Sequence, residues 1–230
     1  MLDRPVWAAL TTRHLHLSAG GELARRYARD VNLFASARDD SAAALAALAD
    51  LVQPGERIFV LQAPSIVVPP GLTPVKDSRC VQMVGTRSLR AAAGQDKDIA
   101  ELTDADAPEM LALATLTEPG PFLTRTHTMG SFLGIRIGGR LAAMAGERLR
   151  FPGHTEVSGV CTHPDFRGRG LARRLSMRVA ARIESRGEQA FLHAWSANRP
   201  AISLYESLGF EIRAELGVKV FERQSDGRSP

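Results

Sequence analysis

The chain has 230 residues, 44% of them hydrophobic and 23% charged, a balance that excludes collagen-like, disordered and coiled-coil proteins. Its formal charge is +4, yet the basic residues are scattered among 25 acids and only two Tyr and two Trp can stack on bases, which argues against a nucleic-acid partner. Only Cys80 and Cys161 are present, too few for a disulfide framework, and no run approaches the ~20 apolar residues of a membrane-spanning helix. We therefore expect a cytoplasmic protein without a membrane partner.

The first 90 residues contain short predicted elements separated by turns. Turn-forming residues cluster at three places: 18–21, 54–55 and 69–74. The elements predicted between them are one helix that Ser41 can cap and two strands: 41–52, 57–62 and 80–84. No chemical motif lies in this part of the chain. The polar, small-residue segment 85–98 follows it and predicts a domain boundary near residue 90.

Beyond residue 97 the predicted elements are more sharply marked. A strand is predicted over 99–102 and a capped helix over 103–116. Gly138-Gly139 favours a tight hairpin turn between two antiparallel strands, 132–136 and 140–148. The remaining predicted elements alternate between strands and helices: strand 156–162, helix 170–186, strand 189–195, helix 200–208 and one or two strands over 211–223.

A glycine-rich turn, Arg167-Gly168-Arg169-Gly170-Leu171-Ala172, joins the strand 156–162 to the next helix. Such a turn gathers unpaired backbone N–H groups, and the helix dipole adds positive potential, so the arrangement suits phosphates. Gly168 and Gly170 remove side chains that would hold a diphosphate away, while Arg167 and Arg169 can add charge-assisted contacts. An ordinary tight turn before a helix also suits glycine, so the turn alone leaves both interpretations open.

Two known phosphate-binding loops fit this turn poorly. A P-loop ends in Gly-Lys-Ser/Thr, and no lysine lies near the turn. A dinucleotide fingerprint requires a third glycine, where this chain has Arg173, and an acidic residue at the end of the next strand. Glu188 has roughly that spacing but precedes the strand. The histidines and acids show no metal-ligand spacing, so no metal is expected.

Residues 160–172, followed by Asn198, Tyr205 and Gly209-Phe210, resemble the signature of the GNAT superfamily of acyl-CoA-dependent N-acyltransferases. The resemblance covers about residues 97–225 and is closest to the branch with an extra N-terminal region, sometimes a degenerate copy of the same fold. It implies an α/β (α+β) fold with a mixed, mostly antiparallel sheet and flanking helices. The domains it implies are a smaller N-terminal α/β domain, the acetyltransferase domain and a tail: 1–90, 91–225 and 226–230.

The resemblance also implies a coenzyme site, with acetyl-CoA as co-substrate. The pantetheine arm would enter between the strands 156–162 and 189–195, and the glycine-rich turn would hold the diphosphate. Tyr205 would protonate the departing thiolate, and Asn198, seven residues earlier, would lie on the same side of the helix. The residues expected to bind the coenzyme are Val160, Cys161, Thr162, Arg167, Gly168, Arg169, Gly170, Leu171, Ala172 and Asn198.

Two residues are candidates to accept the proton of the attacking amine, Glu156 and His154, although a glutamate at a strand edge is most often solvated and a histidine after Pro152-Gly153 is most often a loop residue. Cys161 is interpreted as a strand residue and not a nucleophile, because no base is identifiable beside it. The loop 118–122 would lie at the acceptor cleft by resemblance.

The predicted function is direct transfer of an acetyl group from acetyl-CoA to a primary amine of a small molecule or peptide. Two alternatives stay open: a non-catalytic acyl-CoA-binding sensor or interaction module, and a nucleic-acid- or ribosome-associated acetyltransferase acting on a basic protein end. The sequence is compatible with a homodimer and carries no signal for the acceptor.

Overall fold

A computed structural model describes residues 1–63, 65–88 and 97–224 of the chain. The predicted domain boundary near residue 90 and the predicted tail at 226–230 lie outside the described residues.

The described residues form five α-helices, a small sheet and a large sheet. The helices are α1 (Pro5–Leu10), α2 (Ala42–Asp50), α3 (Ala107–Thr117), α4 (Leu171–Ser185) and α5 (Arg199–Ser207). The strands are β1 (Ser18–Gly20), β2 (Ala24–Tyr27), β3 (Ala35–Ala37), β4 (Arg57–Gln62), β5 (Thr73–Gly85), β6 (Ile99–Leu102), β7 (Phe132–Ile137), β8 (Arg140–Phe151), β9 (His154–Thr162), β10 (Gln189–Trp195) and β11 (Phe210–Glu222). The small sheet has the order β1-β2-β3, and the large sheet has the order β4-β11-β5-β10-β9-β8-β7-β6.

The large sheet is antiparallel except for the pair β9 and β10. These two strands pair only at their first residues, where Gln189–Phe191 lies beside His154–Glu156. Farther on, β9 stays paired with β8 as far as Thr162, and β10 stays paired with β5 as far as Trp195. The sheet therefore opens between β9 and β10. Among the described residues, no strand pairs with this edge of β9 beyond Glu156.

Both faces of the large sheet are covered. On one face, α4 buries Leu171, Leu175, Val179 and Ile183, a stripe at the helical spacing that the sequence predicts. The helix α5 lies on the same face. The other face carries α3, α1 and the small sheet. Alternate residues of the strands divide between the two layers, which the period of two of a β-strand requires.

Strand β5 comes from the N-terminal part of the chain but lies between β10 and β11, antiparallel to both. The sequence predicts a strand only over 80–84 and a turn at 69–74, whereas the strand begins at Thr73 and includes Pro74. Pro74 is tolerated because it sits beside a register irregularity at the end of the strand. The first 85 residues thus supply two strands, β4 and β5, to the large sheet. The division into domains stays a prediction.

The predicted fold class, a mixed and mostly antiparallel sheet with flanking helices, is confirmed. Strands β4, β6 and β10 have the predicted bounds, and Ser41 caps α2 by accepting a hydrogen bond from the Ala44 amide at 3.3 Å. Gly138 and Gly139 both have positive φ, 58° and 81°, as the predicted hairpin turn requires. The sequence missed α1 and the small sheet.

Candidate active site

A cavity of about 720 Å³ occupies the opening between β9 and β10. Its volume lies in the range of small-molecule and cofactor pockets. Every residue predicted to bind the coenzyme lines it, and so does Tyr205. The cavity reaches both faces of the sheet: Leu171 and Tyr205 belong to the layer of α4 and α5, whereas Phe34, Leu61 and other lining residues belong to the opposite layer. A ligand in the cavity would therefore pass through the sheet.

The glycine-rich turn has the backbone geometry that its sequence predicts. Gly168 and Gly170 have φ of 77° and 71°, in the left-handed region, and a Cβ on either would meet no atom within 4 Å. Gly170 is the N-cap of α4, and no side chain in the described part of the chain caps that helix. The first amides of α4 are thus left for a ligand at the cavity wall.

Strand β9 has a bulge where it borders the opening. Ser158 lies opposite Gly146 and Cys161 lies opposite Met144, so β9 contains one residue more than β8 over this stretch. Gly159 takes φ of 62°, and a Cβ there would lie 2.9 Å from the ring of Phe132. A bulge twists the strand and takes backbone groups out of the ladder. The peptide groups next to Gly159 are accordingly available to a ligand in the cavity.

Tyr205 projects from α5 to the cavity and is 8% exposed. Its ring packs edge-on against Phe210, with the ring centroids 6.1 Å apart. Burial raises the pKa of Tyr205 to about 12; the negative charge of Glu156 adds to this effect, and the Ser176 hydroxyl opposes it. The phenol is therefore protonated at neutral pH and can donate a hydrogen bond or a proton.

Asn198 lines the cavity and is also the N-cap of α5. Its side-chain Oδ1 accepts a hydrogen bond from the Ala201 amide at 3.2 Å, which satisfies one of the free N–H groups at the helix start. Asn198 thus fixes the beginning of the helix that carries Tyr205.

Glu156 is fully buried and is not among the residues that line the cavity. Arg148 donates to its carboxylate from Nε at 2.9 Å and Nη2 at 2.7 Å, and His193 Nδ1 lies at 2.7 Å. Burial alone would raise the pKa of Glu156, but Arg148 and His193 together hold it well below its usual range. A carboxylate held in this way is a weak base. The predicted role of Glu156 as proton acceptor stays a prediction, and its surroundings do not favour it.

Two histidines of this region, His193 and His154, have structural partners. His193 lines the cavity, but its Nδ1 lies against Glu156 and its Nε2 is 3.1 Å from Gln82 Nε2, so both nitrogens are engaged. His154 is not a lining residue; its ring stacks on Phe151 with the centroids 5.3 Å apart.

The N-terminal part of the chain forms a wall of the cavity that the sequence did not reveal. Phe34 and Phe59 meet edge to face with ring centroids 6.0 Å apart, and Leu61 lies beside them. The Arg148 guanidinium stands over the Phe34 ring at 5.0 Å. Phe34, strand β4 and Arg148 lie far apart along the chain and share no motif, so only the folded sheet brings them together.

Both cysteines line the cavity, and both are buried. Burial raises the pKa of Cys80 to about 12 and that of Cys161 to about 11. Neither thiol ionises appreciably at neutral pH, and the thiolate is the nucleophilic form. This agrees with the interpretation of Cys161 as a strand residue.

Comparisons with known proteins identify the family of this chain. Residues 132–217 match the family described as FR47-like protein. A crystal structure assigned to an acetyltransferase of the GNAT family from Novosphingobium aromaticivorans has 40% sequence identity and a TM-score of 0.91, covering 97% of this chain and 99% of that one. The chain therefore belongs to the GNAT family. The predicted membership of this superfamily and the predicted acetyltransferase class are confirmed.

One more distant structure shares the fold, and one curated protein matches a short stretch of the sequence. A GCN5-related N-acetyltransferase from Kribbella flavida has 16% identity and a TM-score of 0.60, covering 96% of this chain and 94% of that one. A mycothiol acetyltransferase from Thermobispora bispora is 46% identical over 56 residues, which are 24% of this chain and 19% of that protein. The matched stretch thus spans about a fifth of the length of this curated relative. Across residues 1–63, 65–88 and 97–224, no helix combines the length and apolarity needed to cross a membrane.

Proposed function

We propose that the protein transfers the acetyl group of acetyl-CoA directly to a primary amine of a small molecule or peptide. The observation that carries this proposal is one cavity that joins the glycine-rich turn to Tyr205 through the opening between β9 and β10. The turn suits a diphosphate, the unpaired edge of β9 suits an amide-bearing arm, and Tyr205 suits a thioester.

The coenzyme binds with its diphosphate on the amides of residues 168–172, which lie at the positive end of α4. Arg167 and Arg169 add charge beside it. The pantetheine arm then lies along β9 at Val160 and Thr162, where no other strand competes for the backbone within the described residues. This arrangement directs the thioester to the bulge at Gly159.

The amine attacks the thioester carbonyl carbon, and the oxygen of that carbonyl gains negative charge. Peptide N–H groups beside the bulge at Gly159 stabilise this charge, because they are fixed in place before the reaction. The carbon–sulfur bond then breaks, and Tyr205 gives its proton to the leaving thiolate. The nitrogen loses its extra proton to solvent as the amide forms, and the phenolate recovers a proton from solvent. An acyl-cysteine intermediate is disfavoured by the raised pKa of Cys161.

Calorimetry with acetyl-CoA and a thiol-release assay with a panel of amines test the proposal. We expect the Tyr205→Phe variant to keep its affinity for acetyl-CoA and to lose kcat by about 10²-fold or more, the usual contribution of a positioned acid. The Tyr27→Phe variant is the matched control, since Tyr27 is buried outside the cavity and should leave kcat unchanged.

An unchanged kcat in Tyr205→Phe would refute the role of Tyr205. Binding of acetyl-CoA without acetylation of any amine would favour the non-catalytic sensor, and no heat on titration would refute the coenzyme site itself.

A further inference from the structure

The cavity has two chemically different ends on the two faces of the sheet. The end on the face of α4 and α5 is arginine-rich, with Arg167, Arg169 and Arg173 at its wall. The end on the opposite face is lined by apolar side chains from distant parts of the chain: Phe34, Phe59, Leu61, Cys80 and Val218. If the coenzyme occupies the first end, the acceptor enters from the second.

We infer that this second end selects a primary amine carrying a single ammonium group on an apolar body, with Glu118 meeting the ammonium group and Phe34 and Phe59 meeting the body. The inference rests on the proposed function and names its class of acceptor.

The apolar wall is formed before any ligand arrives. Phe34 is 4% exposed and fixed between Phe59 and the Arg148 guanidinium. Phe59 and Leu61 are two residues apart on β4, so both face the same side of the sheet, and Val218 lies directly opposite Leu61 on β11. A preformed apolar pocket binds apolar groups without the cost of ordering its own side chains. A strongly hydrated acceptor body would lose its water here without gaining partners.

The charges at this end suit one ammonium group and no more. Arg148 is neutralised by two hydrogen bonds to Glu156, and both nitrogens of His193 are engaged. Within the described parts of the chain, Glu118 is the only acidic residue that lines the cavity. A second ammonium group would therefore find no carboxylate and would lie near the Arg148 guanidinium.

The backbone holds Glu118 in an unusual conformation at the cavity. Glu118 ends α3 with φ 48° and ψ 53°, and it is the only non-glycine residue with positive φ in the part of the chain that the structure describes. The segment after it is tied to the N-terminal part: the Arg125 amide donates to Asp30 O at 2.9 Å and Thr126 Oγ1 donates to Val31 O at 2.6 Å. Strain of this kind at a cavity wall points to a role for the residue.

Glu118 also provides a route for the proton that the ammonium group must lose before it attacks. The ammonium group gives one proton to the Glu118 carboxylate, directly or through water, and the neutral amine then attacks the thioester carbon. Glu118 is exposed and releases its proton to solvent. As the carbon–sulfur bond breaks, the nitrogen loses its second proton to solvent, and Tyr205 takes up one proton from solvent in place of the one it gave to the thiolate. One proton therefore leaves per turnover at a pH where the thiol product is protonated.

The test compares four amines in the thiol-release assay: phenethylamine and isoamylamine, which match the inference, and putrescine and ethanolamine, which add a second cation or lack an apolar body. We expect kcat/KM to be at least about tenfold higher for the first two, the scale on which apolar pockets discriminate.

Two variants test whether Phe59 and Glu118 determine the choice of acceptor. Phe59→Ala, on a sheet-edge strand, should raise the KM for phenethylamine about tenfold and leave the KM for acetyl-CoA unchanged. Glu118→Gln should lower kcat/KM for phenethylamine. Glu109→Gln should not lower it, because Glu109 lies in the first turn of α3 and outside the cavity.

Equal or better turnover of putrescine or ethanolamine, or unchanged acceptor KM in Phe59→Ala, would overturn the inference and leave the proposed function standing. Binding of acetyl-CoA without acetylation of any of the four amines would overturn the inference, and only a lack of acetylation across the whole amine panel would also contradict the proposed function.

Discussion

The two ends of the cavity are built in different ways. The end where we propose that the coenzyme binds is a contiguous turn, residues 167–172, that offers backbone amides. The end that we propose for the acceptor is assembled from side chains on the chain segments around Phe34, Phe59, Glu118, Arg148 and Val218. Backbone chemistry at a helix start is encoded by neighbouring residues, whereas a wall of side chains depends on the strand order of the whole sheet. The first end can therefore be recognised in the sequence, whereas the second is visible only in the folded chain.

The largest expected effect on the acceptor end is the loss of stability that follows replacement of Arg148. The Arg148→Met variant leaves the Glu156 carboxylate buried without its guanidinium, which should lower the free energy of unfolding by about 3–5 kcal/mol. Urea denaturation measures the loss. Arg140→Met is the control, because it removes an exposed pair with Asp165 and should cost no more than about 1 kcal/mol. Equal losses in the two variants would contradict the assignment of Glu156 as a buried carboxylate that depends on Arg148.

The coenzyme end is tested by Gly170→Ala. A residue with a side chain at φ 71° is strained by about 1–2 kcal/mol, and the methyl group also stands where the diphosphate should bind. We expect lower stability and a dissociation constant for acetyl-CoA raised about tenfold, equivalent to 1.4 kcal/mol. Gly153→Ala imposes the same strain at φ 77° outside the cavity and should leave acetyl-CoA binding intact. A similar loss of affinity in both variants would attribute the effect to strain alone.

Glu118→Gly at the acceptor end should change stability and activity in opposite directions. Glycine adopts positive φ without penalty, so the variant should gain about 1 kcal/mol of stability while losing acceptor turnover. Thermal unfolding and the thiol-release assay measure the two effects. Glu109→Gly, inside α3, should instead lose about 1 kcal/mol. A less stable Glu118→Gly variant would mean that the side chain has partners that relieve its strain.

The smallest effect concerns alkaline pH. The pKa of Tyr205 is raised to about 12, so the folded chain keeps its proton at pH values where the unfolded chain, with a pKa near 10, releases it. The stability linked to this group is fully present below pH 10 and is lost as the pH rises toward 12. Ultraviolet absorbance should show no tyrosinate at pH 10.5 while circular dichroism stays native. Tyrosinate in the native protein at that pH would contradict the burial of the phenol.

The sequence predicts the parts of this molecule that depend on short-range chemistry. The glycine-rich turn at 167–172, the Ser41 cap and the glycine hairpin at 138–139 each follow from a few adjacent residues. Helix α1 and strands β1–β3 were missed because each is only three to six residues long and gives no reliable period.

The buried surroundings of Glu156 could not be predicted from the sequence. Its place at a strand start suggested a solvated base, but its partners Arg148 and His193 lie on neighbouring strands. The β8–β9 register has an irregularity between Glu147 and Arg150, next to Arg148, and that irregularity cannot be read from residue spacing. In the same way, nothing in residues 73–85 indicates that this strand lies between β10 and β11.

The central claim is that the turn at 167–172 holds the coenzyme diphosphate. Calorimetric titration of the wild-type protein with acetyl-CoA and with S-acetylpantetheine, which lacks the diphosphate, tests it most directly. We expect acetyl-CoA to bind at least about tenfold more tightly, a difference of 1.4 kcal/mol or more, and the difference to shrink in Gly170→Ala. Equal affinity for the two ligands would contradict the claim.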